Sequence, residues 1–310
     1  MKIGTRGSRL AMAQALKVKG LLSRTGVGTE IEVIKTSGDI QTDRPLHAIK
    51  GGFGAFVREI DDYLERGEVD IAVHSLKDVP TKRPEGLALA AVLERESPMD
   101  VVVTRDGSGL KDLKKGSVVG TSSTRREAQI RRHYPGLETK NIRGNVDTRL
   151  RKLSEGEYDA IMLAEAGLIR LDMDLKVERL DPYFFVPSAN QGVIAVVTKA
   201  DSEAYHIVRK LNHYETWVET QVERIIIGRL EGGCVVPMGA YAKMTGDKID
   251  VACEVLSLDG SEQVKVRETI PLEGYEQHAL RIADRVSESG GLELVEAAKK
   301  ELRGDSCDFN

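Results

Sequence analysis

A chain of 310 residues with 41% hydrophobic and 30% charged residues has material for two or three buried cores, which excludes a disordered or fibrous protein. The net charge of -4 argues against nucleic acid as a partner. No run of about 18 apolar residues spans a bilayer and the first residues lack the apolar run of a signal peptide, so the chain reads as cytoplasmic with no membrane partner. Cys234, Cys253 and Cys307 lack the number and spacing of a disulfide framework or a metal site, so no metal is expected.

In chain order, residues 2–5 form a short strand. Arg6, Gly7 and Ser8 lead into a helical pattern through Leu10, Ala13, Leu16 and Leu21, with Ser8 as its N-cap. A strand, a polar turn and a helix start place free backbone N–H groups beside a cation, which makes an anion site. A second strand covers 30–36. The glycine-rich stretch 37–54, including Gly51, Gly52, Phe53 and Gly54, reads as a loop able to close over a site. Phe56, Val57, Ile60 and Leu64 then mark one face of a helix that ends at Gly67. Residues 69–74 are a buried strand, and Lys77 and Asp78 leave its carboxyl end, where ligands gather in open α/β sheets. Taken alone, Lys77 and Asp78 read equally well as a solvated loop ion pair. After an apolar strand at 87–93, the polar stretch 94–98 marks a domain boundary.

The pattern restarts with a strand at 100–104. A strand at 117–120 delivers Thr121, Ser122, Ser123, Arg125 and Arg126 to a helix start, which repeats the arrangement at Arg6 and Ser8 with more cations. From Thr121 to Arg151 the chain has seven Arg and one Lys against three acids. The planar fork of arginine suits paired contacts with carboxylate or phosphate. Two such turns imply two related α/β lobes facing one anionic ligand. Arg131, Arg132 and His133, further along the helix, read as a solvated face. A strand over 138–143 ends on Arg143, Asn145 caps the next helix, and Arg149 lies one to two turns into it, in reach of the same cleft as Arg125 and Arg126.

A strand at 159–163 and a helix at 165–171 carry Arg170 near their end. The loop 180–192 closes on Asn190, Gln191 and Gly192, ahead of a strand at 193–198 and a helix at 201–211. The helix over 216–230 buries Val218, Val222 and Ile226 and is broken by Gly232 and Gly233 just before Cys234. By itself Cys234 reads as a small hydrophobic thiol in a helix-to-strand turn. Ile249, Val251, Cys253 and Val255 then alternate along a strand, Asp259 and Gly260 form a hairpin turn, and Val264, Val266 and Ile270 continue the alternation. Cys253 is thus expected to be a buried structural thiol. Helices over 274–289 and 292–303 cover this antiparallel sheet. No internal sequence repeat stands out.

Five stretches in order resemble the porphobilinogen deaminase (hydroxymethylbilane synthase) family, and the likeness runs nearly the whole chain. They are Thr5-Arg-Gly-Ser8, Asp70-Ile-Ala-Val-His-Ser-Leu-Lys-Asp-Val-Pro80, Val119-Gly-Thr-Ser-Ser-Thr-Arg-Arg126, Arg143-Gly-Asn-Val-Asp-Thr-Arg149 and Leu230-Glu-Gly-Gly-Cys234. The resemblance implies an α/β protein of three domains, two built like the lobes of type II periplasmic binding proteins and a small third α/β domain with an antiparallel sheet. The implied limits are 1–95 with about 193–212, then 96–192, then 213–310. It implies a monomeric transferase of haem biosynthesis whose substrate is porphobilinogen and whose dipyrromethane cofactor is bound covalently through Cys234. Asp78 matches the catalytic carboxylate. Arg6, Ser8, Lys77, Thr121, Ser122, Ser123, Arg125, Arg126, Arg143, Arg149, Arg170 and Gln191 match residues that take the acidic side chains of cofactor and substrate. Two positions depart from the family pattern: Phe53 stands where a lysine is common, and Asn190 stands where glycine is usual before Gln191.

Two other functions compete with this one. A two-lobed anion-binding protein without catalysis shares the architecture. A thiol enzyme cycling through Cys234 needs a nearby base, and no histidine lies in that segment.

Overall fold

The computed structural model describes residues 1–36, 55–231 and 236–304. The glycine-rich stretch 37–54, read from the sequence as a loop, with Phe53, and Cys234, with Gly232 and Gly233, lie outside the described residues, as does Cys307. The chain divides into two compact units. The first comprises 1–96, 169–173 and 191–218; the second comprises 97–168, 174–190 and 219–310.

The first unit opens with β1 (Lys2–Arg6), α1 (Arg9–Arg24) and β2 (Glu30–Ile34), followed by α2 (Ala55–Arg66), β3 (Ile71–Ser75) and β4 (Leu87–Val92). In the second unit come β5 (Asp100–Thr104), β6 (Val118–Gly120), α3 (Thr124–His133), β7 (Glu138–Lys140), α4 (Val146–Ser154), β8 (Ala160–Ala164), α5 (Glu165–Arg170) and β9 (Glu178–Arg179). The last residues of α5 belong to the first unit. β10 (Ile194–Lys199), α6 (Glu203–Val208) and α7 (Tyr214–Arg229) follow, then β11 (Met238–Thr245), β12 (Lys248–Leu256), β13 (Gln263–Pro271), α8 (Tyr275–Val286) and α9 (Leu292–Gly304).

The described strands form three sheets, ordered β2-β1-β3-β10-β4, β7-β6-β8-β5-β9 and β11-β12-β13. In the first, β1 is parallel to β2 and β3 while β10 runs antiparallel between β3 and β4. The second repeats this plan: β6 is parallel to β7 and β8, and β5 runs antiparallel between β8 and β9. The α/β class, the two like lobes and the small antiparallel sheet hold as expected, and the repeat that two similar turns suggest in the sequence extends to the whole strand order of the two sheets.

Each lobe is built by strands apolar on both faces. Ile3, Ile71, Val73 and Val196 pack with Ala15, Val18 and Leu22 of α1, while Ile34, Ala72 and Val197 pack with Ile60 and Leu64 of α2. In the second unit Val102, Val119, Ala160 and Met162 pack with Ile130 of α3 and with Phe185. Burial of such side chains is worth about 1.5–3 kcal/mol each, so both sheets present their loops from rigid supports.

The third sheet departs from the expected reading in two ways. β11 is a strand that the sequence pattern does not announce, because Met238, Gly239, Ala240 and Ala242 show no strong alternation. Gly239 is there because its backbone passes so close to Val186 that a Cβ would lie 2.5 Å from that carbonyl oxygen. The edge of β11 is closed by two buried carboxylates of α7: Glu223 accepts from the Ala242 N–H at 2.8 Å and Glu219 from the Met244 N–H at 3.1 Å, which satisfies donors that an open edge leaves free. The second concerns the helix end read as a solvated face: Arg131 and Arg132 are exposed as expected but also contact this sheet, whereas His133 is half-buried against Phe184 and Phe185. The two arginines hold the expected hairpin at Gly260, Arg131 donating to the Leu258 carbonyl at 2.9 Å and Arg132 to those of Gly260 and Ser261 at 3.1 Å. Their partners lie more than a hundred residues away, beyond any local pattern. Cys253 is fully buried and burial pushes its thiol up to about 12, so it stays neutral and inert. No described helix is long and apolar enough to cross a membrane.

Candidate active site

In the first unit the carboxyl ends of β1 and β3 carry the expected residues. Ser8 caps α1, its Oγ accepting from the Ala11 N–H at 3.3 Å. Arg6 lays its guanidinium over the Phe56 ring, 4.1 Å from the centroid, so a residue read only as core supports a cation. Beyond β3 the chain makes a single 3-10 turn, Leu76–Asp78, that presents Lys77 and Asp78. Leu76 is fully buried and its N–H donates to the Val193 carbonyl at 2.9 Å, which fixes the turn against the strand end beside it. A cavity of about 230 Å³ is lined by Arg6, Ser8, Gln14, Phe56, His74 and Asp78. Gln14 reaches into it from α1 and donates to Ser75 Oγ at 2.8 Å.

Arg170 belongs to this unit and already has protein partners. Its Nε donates to Glu96 Oε2 at 2.5 Å and a terminal nitrogen donates to the Gly192 carbonyl at 2.9 Å. Glu96 also pairs with Lys17 at 2.7 Å. Burial lowers the Arg170 pKa, and the negative charges of Glu96 and Asp78 oppose that shift. Gln191 is buried and its carbonyl accepts from Arg95 at 3.3 Å. Asn190, in the second unit, has a φ of +64° and donates its N–H to Glu223 at 2.6 Å. A left-handed backbone explains a preference for glycine there, and asparagine is the side chain that best tolerates it.

The second unit arranges its cations in two layers. Arg125 and Arg126 are buried, and both converge on Asp100. Arg125 donates at 2.8 Å to Asp100 Oδ2, and Arg126 at 2.7 Å to Oδ1. Burial alone raises the Asp100 pKa, but the two guanidinium groups overcome it and hold the carboxyl well below the usual range. Arg125 also bonds Gln129, which donates at 2.6 Å to the buried Glu254 of β12. Arg125 is therefore part of the framework as well as of the family motif.

Arg143 and Arg149 form the second layer. β7 stops at Lys140, so Arg143 sits in the loop beyond it and does not end the strand as expected. Asn145 occupies the N-cap position of α4, but no side-chain cap bond forms. Arg149 donates from Nε to the Gly144 carbonyl at 2.9 Å, which ties the helix back to its own entry loop. Among the described residues neither Arg143 nor Arg149 has a carboxylate partner, and the Nε of Arg143 is buried without a hydrogen bond. Burial, together with the charges of Arg126 and Arg143, brings the Arg149 pKa down to about 10; burial also lowers that of Arg143. Mutual repulsion of this kind is relieved by an anion.

The hydroxyl residues frame this cluster. Thr121 Oγ1 accepts from the Ser123 N–H at 3.2 Å, and Ser122 donates to the Ile142 carbonyl, pinning the loop that carries Arg143. Ser123 occupies the N-cap position of α3 without a side-chain cap bond. These donors fit a group bearing carboxylates: an orphaned buried guanidinium nitrogen and two uncompensated cations lie beside a helix start.

The two α/β units of one plan each carry guanidinium and hydroxyl groups at the carboxyl ends of parallel strands, and the first also carries a carboxylate, Asp78. Residues 1–206 match the family model described as porphobilinogen deaminase, dipyromethane cofactor binding domain, and 217–288 match its C-terminal domain. The chain is 65% identical over 302 residues to the probable porphobilinogen deaminase of Methanocella arvoryzae, covering 97% of this chain and 99% of that protein. The porphobilinogen deaminase of Syntrophobacter fumaroxidans is 42% identical, covering 97% and 96%. Among solved structures, an ancestral cationic amino acid solute binding protein aligns at a TM-score of 0.41 and 14% identity, covering 68% of this chain and 87% of that one. The chain belongs to the porphobilinogen deaminase family, enzymes of tetrapyrrole synthesis.

Proposed function

We propose that the protein is a transferase that condenses four porphobilinogen molecules head to tail on a dipyrromethane held through the sulfur of Cys234, releasing ammonia at each step and hydroxymethylbilane by a final hydrolysis. The observation that carries this reading is the pair Arg143 and Arg149, cations without a described carboxylate partner in a family whose model is a cofactor-binding domain. When bound, the dipyrromethane supplies the pyrrole carbon to which the first unit is joined. It would be held by Arg143, Arg149, Arg126, Thr121 and Ser123 through its carboxylates.

The chain's own residues then divide the work. Each pyrrole brings an acetate and a propionate, so elongation accumulates negative charge. At about 4 Å and an effective dielectric of about 20, one arginine offsets on the order of 4 kcal/mol of it before desolvation. Arg6, Ser8 and Lys77 in the first unit receive the side chains of the incoming porphobilinogen. Arg6 does so from a plane fixed by Phe56. Loss of ammonia leaves positive charge on the substrate pyrrole. Asp78, on a turn anchored by the buried Leu76, stabilises that charge and takes the proton released after coupling. Arg170, Arg125 and Gln191 support this set from their buried hydrogen bonds.

The test is direct: the protein incubated with porphobilinogen should release ammonia and hydroxymethylbilane in a ratio of about four to one by the proposed stoichiometry. Tight binding of porphobilinogen with no ammonia would instead favour a binding protein.

A further inference from the structure

Asp61 is almost fully buried on α2, at 2% exposure, and the chemistry assigned above does not use it. Two side chains meet it. Arg83 donates to Asp61 Oδ1 at 2.9 Å, and His74 Nε2 lies 3.7 Å from the same oxygen, an ion-pair separation longer than a hydrogen bond. His74 is the fourth residue before Asp78, in β3, and Arg83 is the fifth after it, in the segment leading to β4. We propose that Asp61 is a positioning residue for Asp78: one buried carboxylate on α2 joins the strand that enters the Asp78 turn to the segment that leaves it. The proposal rests on the reading of Asp78 as the reacting carboxylate.

The energetics favour a clamp over an incidental pair. Burial pushes the Asp61 carboxyl up, yet its contacts with His74 and Arg83 outweigh that and leave it below the ordinary value, so it stays charged where a lone carboxylate would not. His74, 6% exposed, lines the same cavity as Asp78, whereas Asp61 lies behind it. Removing the charge of Asp61 leaves Arg83 with three buried nitrogens to satisfy, since its Nε and one terminal nitrogen already lack partners. The segment carrying Arg83 then loses its anchor, and the Asp78 turn keeps its packing through Leu76 and Val79 but loses the tie between the strand that enters it and the segment that leaves it. Sub-ångström to one-ångström misplacement of a reacting group costs up to about 10²-fold in rate.

The experiment compares Asp61→Asn, Arg83→Gln and the double variant with wild type, by steady-state kinetics on porphobilinogen and by melting temperature. The expected result is a kcat about tenfold or more lower in each, with KM within about twofold and the double variant no worse than either single one, because the three groups act as one unit. Arg83→Lys should recover part of the loss by restoring charge at Asp61. A folded Asp61→Asn protein with wild-type kcat overturns the proposal, as does a loss that vanishes below the melting transition. If Asp61→Asn fails to fold, Arg83→Gln in its exposed segment decides by the same criteria. Asp78→Ala is run in parallel: turnover retained there removes the reading of Asp78 itself, whereas an inactive Asp78→Ala beside a fully active Asp61→Asn removes only the clamp.

Discussion

The first and second five-stranded sheets share one strand plan, and both place cations after the equivalent strands β1 and β6, but they differ in what their other loops carry. After β3 the first sheet presents a carboxylate, Asp78; after β8 the second continues directly into α5. After β7 the second sheet presents Arg143 and Arg149, neither with a described carboxylate partner. Residues 37–54, which follow β2 in the first sheet, lie outside the described residues. One topology thus serves two purposes. The second sheet concentrates positive charge at Arg143 and Arg149, and the first sets Asp78 and Arg6 around a small cavity. The lesson is that a duplicated scaffold fixes where side chains can act, while the charge at each loop decides what they do.

Breaking the interior of the second sheet should have the largest effect. Asp100→Asn leaves Arg125 and Arg126 buried with uncompensated charge, and denaturant unfolding should show a loss of about 3–5 kcal/mol. The sign with pH follows from the lowered carboxyl: its contribution is present above the unfolded value near 4 and is lost as pH falls toward the folded one, so wild-type stability should drop below about pH 4 and Asp100→Asn should drop less over that window. A change of under 1 kcal/mol in the variant would mean the triad is not what holds α3.

Asp78→Ala addresses the first sheet. Ammonia release should fall about 10²–10³-fold while the melting temperature stays within a few degrees of wild type. Near-normal rates would erase the contrast between the sheets. Arg149→Leu should cost less, about 1.5–3 kcal/mol for a charged hydrogen bond, seen as stalled elongation intermediates in intact-mass spectra. Chain growth at the wild-type rate would show that the second sheet's positive charge is not used. The smallest change is expected from Ser123→Ala, under about 1 kcal/mol, read as a modest rise in KM.

Much of this was legible in the residues. The two turns at Ser8 and Ser123 announce helix starts beside cations, and both fall at the carboxyl ends of parallel strands. Asp78 was reachable because an apolar strand ends just before it. What stayed hidden depends on partners distant in sequence. Arg131 and Arg132 lie exposed, as read, but the hairpin near Gly260 that they also bind could not be foreseen. Arg170 pairs with Glu96, and Asp100 collects two arginines, and no local pattern marks either acid. β11 escaped because its small residues pack by backbone approach, not by alternation. The lobe repeat shows in the residues only as two like turns, at Arg6 and at Thr121; the matching strand order of the two sheets appears only in the hydrogen bonds.

The central claim, that the cations of the second sheet serve a group tethered at Cys234, is tested most directly by the intact mass of the purified protein beside that of Cys234→Ser. The expected result is a wild-type mass above that of the bare chain by one dipyrromethane, with the variant at the bare mass. A wild-type protein at the mass of its unmodified chain would contradict the account.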